Sequence, residues 1–327
     1  MNVLVTGANG LLGSHVVRKL AEQKFAVRAM VREGSNRKAL EGVSCVFFEG
    51  KITDKEDVER AVSGCDYVIH VAAKTSQSPS DVQAFYHPNV ESTRYLVDAC
   101  LRCKVKRFVF VSSANCFGNG AKSAPGNEQK PFMPWLKKSG YAYSKLLAQQ
   151  MVLQETKQQL NAVVVNPTFM IGDNDTKPSS GRIFFHVLKK PVIFYPPGGK
   201  NFVDVEIAAQ GVANAMLMGK TGECYLLTGE NLSYLEFFKM VTSVVIQRSV
   251  FIQIPSWVLK TAGFVGDILE HVFHIPVQLT SVNARMLCED NFYTAHKAMN
   301  EIDFEMIPIH QSIEKAILWF RENNYIE

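Results

Sequence analysis

Short apolar runs alternate with amphipathic stretches over the first half of the chain. The runs are rich in Val, Ile and Phe, and they predict strands at Asn2–Thr6, Ala26–Val31, Cys45–Phe48, Tyr67–Val71, Arg107–Val111 and Ala162–Val165. Between them, apolar residues at helical spacing predict helices at Leu12–Gln23, Lys55–Val62, Asn89–Cys103 and Tyr141–Lys157. Continuous rather than alternating apolar runs are typical of strands buried on both faces. The pattern therefore predicts an α/β fold with a doubly wound parallel sheet.

The pattern changes after Phe169, where polar turn-forming stretches predict loops at 172–181 and 191–199. A helix at Glu206–Met218 and a strand at Glu223–Thr228 are predicted to return to the sheet. Further predicted elements are a short helix at Phe184–Val187, helices at Tyr234–Ile246, Trp257–Phe273, Gln278–Glu289 and Ser312–Asn323, and a strand at Val250–Ile254. We therefore expect a main domain at 1–168, completed by 203–229. The remainder, 169–202 and 230–327, is predicted to form a smaller, discontinuous α/β lobe that binds the substrate.

Three glycines follow the first predicted strand. Gly7, Gly10 and Gly13 stand at three-residue spacing, directly before the apolar face of the first helix. Such a strand–turn–helix unit points backbone N–H groups and the positive end of a helix at a phosphate. Gly7 allows the tight turn, Gly10 allows close approach of a pyrophosphate, and Gly13 allows the helix to pack on the strand. This context predicts a Rossmann dinucleotide site rather than an ordinary glycine turn.

The residue after the second strand indicates which dinucleotide is bound. This strand end lies beside the adenosine ribose in the nucleotide fold, where an acidic residue favours NAD and an arginine accommodates a 2′-phosphate. Here Arg32 comes first and Glu33 follows. The signal is mixed and favours NADP(H), with NAD(H) as the alternative.

A tyrosine and a lysine one helical turn apart provide the candidate chemistry. Tyr141 and Lys145 share one face of a predicted helix. A nearby ammonium favours the phenolate, so we expect Lys145 to lower the pKa of Tyr141 and to hold the cofactor ribose. Tyr141 can then exchange a proton with a substrate oxygen as a hydride is transferred. Ser113, after the fifth strand, is predicted to orient that oxygen. Tyr143 is the competing phenol but has no lysine four residues later.

Composition and charge restrict the remaining possibilities. The 327 residues are 47% hydrophobic and 20% charged, and the net charge of +4 gives no argument for a nucleic-acid or membrane partner. The seven cysteines are odd in number and irregular in spacing, which favours a reducing compartment. The chain enters a strand at Asn2 and has no apolar run of spanning length. We therefore expect a cytoplasmic protein with a small-molecule substrate, no signal peptide and no metal site.

These motifs resemble the extended short-chain dehydrogenase/reductase superfamily over essentially the whole chain. Thr6–Gly13 is similar to its TGxxGxxG turn, Tyr141 and Lys145 to its catalytic pair, and Ser113 to its catalytic serine. His70–Ala73, Asn89–Val90 and Asn201–Asp204 are also similar to family stretches. The branch it resembles most is the dihydroflavonol-reductase-like group, which includes 3β-hydroxysteroid-dehydrogenase-like and hopanoid-associated sugar-epimerase-like members. Residues 172–183 and 317–322 carry that similarity.

The resemblance implies a homodimer formed through the Asn89 and Tyr141 helices. It also implies which residues contact the cofactor. We expect cofactor contacts from the residues at the strand ends and helix starts, namely Gly7, Asn9, Gly10, Leu11, Leu12, Gly13, Arg32, Arg37, Lys51, Ile52, Val71, Ala72, Ala73, Asn89, Tyr141, Lys145, Pro167 and Thr168. Three positions depart from the family pattern. Ser92 stands where a glycine is expected. Lys51 stands where an acidic residue usually contacts adenine, and Asn166 replaces an arginine that is common in nucleotide-sugar members.

Three functions remain open at this point. The first is a hydride-transferring reductase or dehydrogenase acting on an apolar or cyclic substrate. Its motivation is the set of apolar residues in the second lobe, namely Phe169, Met170, Phe184, Phe185, Phe194 and Tyr195. The second is a nucleotide-sugar epimerase or dehydratase with tightly bound NAD. The third is a non-catalytic NADP sensor, against which the intact Ser113, Tyr141 and Lys145 argue.

Overall fold

The computed structural model of the protein describes residues 1–76 and 81–326. Its central sheet has seven parallel strands in the order β10-β6-β5-β4-β1-β2-β3. These strands are β1 (Asn2–Thr6), β2 (Ala26–Val31), β3 (Val46–Glu49), β4 (Tyr67–His70), β5 (Arg107–Val111), β6 (Ala162–Pro167) and β10 (Cys224–Leu227). The predicted doubly wound parallel fold is confirmed.

Helices cover both faces of this sheet. They are α1 (Leu11–Glu22), α2 (Lys55–Val62), α3 (Gln83–Phe85), α4 (Ser92–Arg102), α5 (Gly140–Thr156) and α7 (Val205–Met218). Val16 and Leu20 of α1 and Val212 of α7 are fully buried in a core on one face. Val58 of α2 and Val152 of α5 belong to the core on the opposite face. Because the strands are parallel, their carboxyl ends lie at one edge of the sheet, which is where folds of this class bind ligands.

A second lobe lies beyond β6. It contains β7 (Phe169–Ile171), β8 (Val192–Tyr195), β9 (Gly199–Asp204), β11 (Glu230–Ser233), β12 (Val250–Gln253) and β13 (Asp290–Asn291). Its helices are α6 (Arg182–Phe185), α8 (Tyr234–Val244), α9 (Ser256–His271), α10 (Ser281–Cys288), α11 (His296–Glu301) and α12 (Ile309–Glu322). The core of this lobe is aromatic: the Phe202 and Phe237 rings stack at 4.0 Å between centroids. Within the described residues, no helix is long and apolar enough to cross a membrane.

Several predicted features of the fold are wrong. The loop predicted at 191–199 contains β8, whose four residues pair in parallel with β12. The apolar run of β8 is short, and the two prolines and two glycines that follow it are typical of a loop, so the sequence pattern predicted no strand here. The strands β7, β9 and β11 were also not predicted. β3 is the edge of the sheet rather than a strand buried on both faces, and Val46 is 70% exposed.

Candidate active site

The glycine turn is packed so tightly that side chains cannot enter it. Gly7 has φ +65°, and a Cβ there would stand 2.7 Å from the Cα of Ala72. A Cβ on Gly13 would stand 2.1 Å from the carbonyl oxygen of Gly7. Gly10 is the N-cap residue of α1, and its N–H donates to the Gly7 carbonyl at 3.0 Å. The turn therefore holds the start of α1 directly against β1 and the residues after β4.

This cradle fits a dinucleotide pyrophosphate. No side chain among the described residues caps α1, so the amides of Leu11 and Leu12 face outward at the positive end of a helix. Val71, Ala72 and Ala73 are only half-buried beside the turn, which leaves a shallow floor of small side chains. Asn9 closes the other side, since its Nδ2 donates to the carbonyl oxygen of Asn36 at 2.9 Å.

The positive residues after β2 and β3 differ in their surroundings. Arg32 is exposed at the end of β2. Arg37 forms an ion pair with Glu49 and lies over the Phe47 ring at 4.5 Å. The Lys51 side chain is exposed, while its N–H donates to Asp57 Oδ2 at 2.8 Å.

Ile52 and Ser35 also lie near the carboxyl ends of β2 and β3. Ile52 packs with its half-buried side chain against the core on the α2 face. The buried hydroxyl of Ser35 has no partner among the described residues. The edge therefore offers one exposed guanidinium and one unpartnered hydroxyl to a ligand.

Ser113 and Tyr141 are brought together across the crevice. Ser113 follows β5 and is 8% exposed, and Tyr141 lies in the first turn of α5, which Ser139 caps. The Ser113 hydroxyl lies close to the Tyr141 phenol and favours its ionised form. Burial is the larger effect and raises the pKa of Tyr141 to about 12. The phenol is therefore protonated at neutral pH.

Lys145 lies beside this pair but does not bond to the phenol. Its Nζ donates to the Val111 carbonyl oxygen at 2.6 Å and lies 4.4 Å from the centroid of the Phe110 ring. Burial lowers the pKa of Lys145 to about 8. The expected lowering of the Tyr141 pKa by Lys145 is absent from this structure, where Ser113 is the group that lowers it.

His70 is a structural residue rather than a base. Its Nδ1 lies 2.7 Å from the Thr6 hydroxyl and its Nε2 lies 3.2 Å from the Thr93 hydroxyl. Thr93 in turn donates to the Asn89 carbonyl, so it accepts from His70 and assigns the proton to Nε2. Burial, followed by the charge of Lys145, lowers the pKa of His70 to about 3. The imidazole is therefore neutral.

Asn89 does not begin a helix, which corrects the predicted start at that residue. A π-helical turn over Tyr86–Glu91 precedes α4 and contains Asn89. The Asn89 side chain reaches across to α5, where its Nδ2 donates to Ser144 Oγ at 2.9 Å. Its Oδ1 accepts from the Lys74 N–H at 2.7 Å. Asn89 thus joins the chain after β4 to the helix that carries Tyr141.

Asn166 was not predicted to support the site. Its Nδ2 donates to the Ser113 carbonyl oxygen at 2.9 Å and to Gln149 Oε1 at 2.8 Å. The side chain thereby ties the end of β5 to α5 and orients Ser113. The only sequence signal was the absence of an arginine at this position.

The end of β6 leads into the second lobe. Pro167 is buried, and the Thr168 hydroxyl donates to Asn201 Oδ1 at 2.6 Å. The unpredicted Lys200, next to Asn201, has its Nζ 4.6 Å from the centroid of the Phe169 ring. Burial lowers the pKa of Lys200 to about 8. Nothing in the local sequence pattern distinguished this lysine from a surface residue.

The predicted apolar lining of the substrate site is mostly wrong. Phe184 is fully buried in the core of the lobe, with its ring 6.2 Å from Phe237. Phe185 and Tyr195 pack at the edge of the same core. Phe194 is 61% exposed on the outer face of β8. Phe169 and its neighbour Met170 are the members that follow the end of β6.

Comparison with known proteins settles the family. The model of the NAD dependent epimerase/dehydratase family matches residues 3–216, which include the glycine turn, Ser113, Tyr141 and Lys145. The chain belongs to the NAD dependent epimerase/dehydratase family. It is therefore an NAD(P)-dependent enzyme of the extended short-chain dehydrogenase/reductase type.

Relatives of this epimerase/dehydratase-family chain include reductases. It is 29% identical to a putative dihydroflavonol 4-reductase of Synechocystis sp., over 99% of this chain and 95% of the relative. It is 28% identical to sterol demethylase protein B of Methylococcus capsulatus, over 100% of both chains. Among solved structures, gox2253 superimposes with a TM-score of 0.86 at 30% identity, over 99% of each chain.

A more distant structure confirms the fold alone. UDP-glucose 4-epimerase of Thermus thermophilus, solved as a complex with NAD, gives a TM-score of 0.78 at 21% identity. The match covers 98% of this chain and 99% of the epimerase.

Proposed function

We propose that the protein is an NADP(H)-linked reductase or dehydrogenase that interconverts a carbonyl and a hydroxyl on an apolar, cyclic substrate. The observation that carries the proposal is the proximity of the Ser113 and Tyr141 hydroxyls, at the same carboxyl edge of the sheet as the glycine cradle. A bound nicotinamide supplies or accepts the hydride at the substrate carbon.

In the reductive direction, Tyr141 donates its phenolic proton to the substrate oxygen. The raised pKa suits this role, because it keeps the proton on the phenol until charge develops on the oxygen. The Ser113 hydroxyl donates to the same oxygen and positions it. Lys145, whose pKa is about 8, is mostly protonated at neutral pH and would hold the ribose of the bound cofactor.

Two observations support the preference for NADP(H). Arg32 is exposed at the carboxyl end of β2, and the Ser35 hydroxyl nearby has no partner among the described residues. Arg37 contributes less to the argument, since Glu49 already neutralises it. A guanidinium and a hydroxyl suit a 2′-phosphate.

The substrate class rests on the second lobe and on the relatives. Phe169 offers an aromatic wall after β6, and Phe132, Met133 and Trp135 pack against Leu136 in a small apolar cluster after β5. The names of two relatives refer to sterols, sterol demethylase protein B and a sterol-4-alpha-carboxylate 3-dehydrogenase of Dictyostelium discoideum. These observations favour a ring ketone or ring alcohol over a nucleotide sugar.

Steady-state assays of the purified protein test this function. NADPH oxidation on a panel of cyclic ketones, and NADP⁺ reduction on the matching alcohols, are expected to show turnover. Tyr141→Phe is expected to lower kcat by about 10²–10⁴-fold while NADPH binding persists. Tyr143→Phe is the matched control and should leave kcat within a few-fold of wild type. Unchanged turnover in Tyr141→Phe would contradict the mechanism.

The epimerase alternative makes a different prediction about the cofactor. An epimerase regenerates its cofactor in each cycle and retains it, so native mass spectrometry would show NAD carried through purification. Conversion of a UDP-sugar with that retained NAD, and no turnover with the ketones, would replace the proposed function with the alternative.

A further inference from the structure

The helix α9 is apolar on two opposite faces. Leu259, Gly263 and Gly266 form the buried face, where the glycines pack within contact distance of Thr280, Ser281 and Leu279 at the start of α10. The larger apolar residues point the other way. Trp257, Phe264, Val265, Ile268 and Val272 recur at helical spacing on the opposite face and are 70%, 61%, 48%, 39% and 64% exposed. An ordinary surface helix carries polar side chains on the face opposite the core, so the exposed apolar face of α9 calls for a partner.

The apolar surface continues past the end of the helix. Phe273 and Ile275 are 62% and 48% exposed. Since an aromatic side chain presents about 150–250 Å², the three exposed aromatic residues leave roughly 300–500 Å² of apolar area in water before the aliphatic residues are added. The largest apolar patch of a typical monomer is about 300–600 Å² in total. We call the surface of residues 257–275 the α9 face.

The strand that leads into α9 is also apolar on the outside. Val250 and Ile252 of β12 pair with Val192 and Phe194 of β8, so all four stand side by side on one sheet face. They are 61%, 44%, 40% and 61% exposed. The sheet face and the α9 face are joined by two residues of chain, 254 and 255.

The fully exposed charges around these surfaces are cationic. Arg248, Lys260 and Lys190 are exposed. The two carboxylates of the helix are engaged: Asp267 accepts from the Ser281 N–H at 2.9 Å, and Glu270 is 9% exposed. Within the described residues of 186–195 and 246–279, no exposed carboxylate accompanies the cations.

We propose that the α9 face docks on the surface of an anionic phospholipid bilayer, with α9 lying in the interfacial plane. Tryptophan and phenylalanine on one face of a helix, flanked by cations, are typical of helices that bind at this depth. Anionic headgroups complement the exposed cations, at up to about 1 kcal/mol per residue. A second copy of the same face would oppose cation to cation. Docking of this kind needs no spanning helix, and it revises the expectation of no membrane partner.

The docked helix would stand beside the route into the site. α9 packs on α10, and Val282 of α10 packs with Leu136 in the segment after β5. An apolar substrate dissolved in the bilayer would then enter without crossing water. This consequence depends on the proposed function, whereas vesicle binding does not.

Vesicle sedimentation tests the proposal with the full chain. Wild type is expected to co-sediment with vesicles of phosphatidylcholine and phosphatidylglycerol, more weakly with pure phosphatidylcholine, and less at high salt. The double substitution Phe264→Ser with Ile268→Ser is expected to weaken partitioning at least about tenfold. Leu318→Ser with Met218→Ser is the matched control, since both residues are exposed apolar positions on α12 and α7. It should bind vesicles as wild type does.

Fluorescence locates the contact. The signal of Trp257, obtained as the difference between wild type and Trp257→Phe, is expected to shift to the blue on vesicle binding and to be quenched by brominated lipid. Absence of co-sedimentation on anionic vesicles overturns the proposal. A change of oligomeric state in the Phe264→Ser, Ile268→Ser variant on gel filtration also overturns the proposal. That result would show that the α9 face forms a contact between two copies of the chain. Reductase activity in solution is a separate measurement and can fail while vesicle binding holds.

Discussion

Desolvation controls the protonation of single residues along the crevice. It moves the pKa of Tyr141 up and the pKa values of His70 and Lys145 down, in each case toward the neutral form. The sequence could place Tyr141 and Lys145 on one helix face. It could not predict these pKa changes, because the burial of each side chain depends on segments that are distant in the chain.

Arg32 offers the sharpest residue-scale prediction for cofactor choice. Removing its charge should weaken NADPH far more than NADH, because the 2′-phosphate is absent from NADH. We expect Arg32→Ala to reduce the ratio of NADPH to NADH affinity at least about tenfold, since a charged hydrogen bond contributes about 1.5–3 kcal/mol. Titration of each cofactor by fluorescence measures the ratio. Lys38→Ala, at an exposed lysine nearby, is the control, and an unchanged ratio in Arg32→Ala would remove the argument for NADP(H).

His70 predicts a specific pH dependence of stability. The unfolded chain binds a proton near pH 6.5, whereas the folded imidazole resists it until about pH 3. The free energy of unfolding should therefore fall as pH drops below about 6.5, by up to about 1.4 kcal/mol per unit. Urea unfolding between pH 7 and 5 checks the slope. His70→Asn should be less stable but show a shallower slope, while the exposed His186→Asn should keep the wild-type slope.

Among the elements, sequence patterns predicted those strands and helices whose own residues form a clear apolar pattern. The strands of the central sheet were predicted to within one or two residues at each end because each is a continuous apolar run. β3 shows the limit, since its run is apolar although the strand lies at the exposed edge. β9 was missed because its burial comes from partners that are distant in the chain, β7, β11 and β13. The second lobe is built from such pairings, so the surroundings of its side chains could not be predicted.

The turn between β1 and α1 depends on Gly13 more than on any other feature. A methyl group there would stand 2.1 Å from the Gly7 carbonyl oxygen, so α1 would have to move away from β1. We expect Gly13→Ala to weaken NADPH binding at least about tenfold and to lower the free energy of unfolding by about 1–3 kcal/mol. Calorimetric titration and urea unfolding measure the two effects.

Gly64 supplies the control for that substitution. It has φ +75° and open space around its missing side chain, at the end of the sheet away from the crevice. Gly64→Ala should cost about 1 kcal/mol of stability through backbone strain and leave NADPH affinity unchanged. Equal NADPH affinity in the two variants would show that the glycine turn does not hold the cofactor.

At the scale of the whole molecule, a second surface, separate from the α9 face, is a candidate contact between subunits. A groove of about 430 Å³ runs between α4 and α5 and is lined by Arg94, Asp98, Leu147, Gln150, Met151 and Gln154. Its lining mixes the apolar Leu147 and Met151 with polar side chains, as contacts between protein subunits do. We expect a homodimer built on this groove, with α5 carrying Tyr141 on one side and the contact on the other.

Light scattering after gel filtration tests that assembly. Met151→Asp places a charge in the floor of the groove and should convert a dimer into a monomer, because an unpaired charge buried in an interface costs several kcal/mol. Met218→Asp, at a residue 47% exposed on α7, should remain dimeric. A wild-type chain that is monomeric at micromolar concentration would contradict the expectation. Because the groove and the α9 face belong to different elements, the Met151→Asp variant should still bind anionic vesicles. Its binding should be weaker than that of wild type, since a monomer presents one α9 face and a dimer presents two.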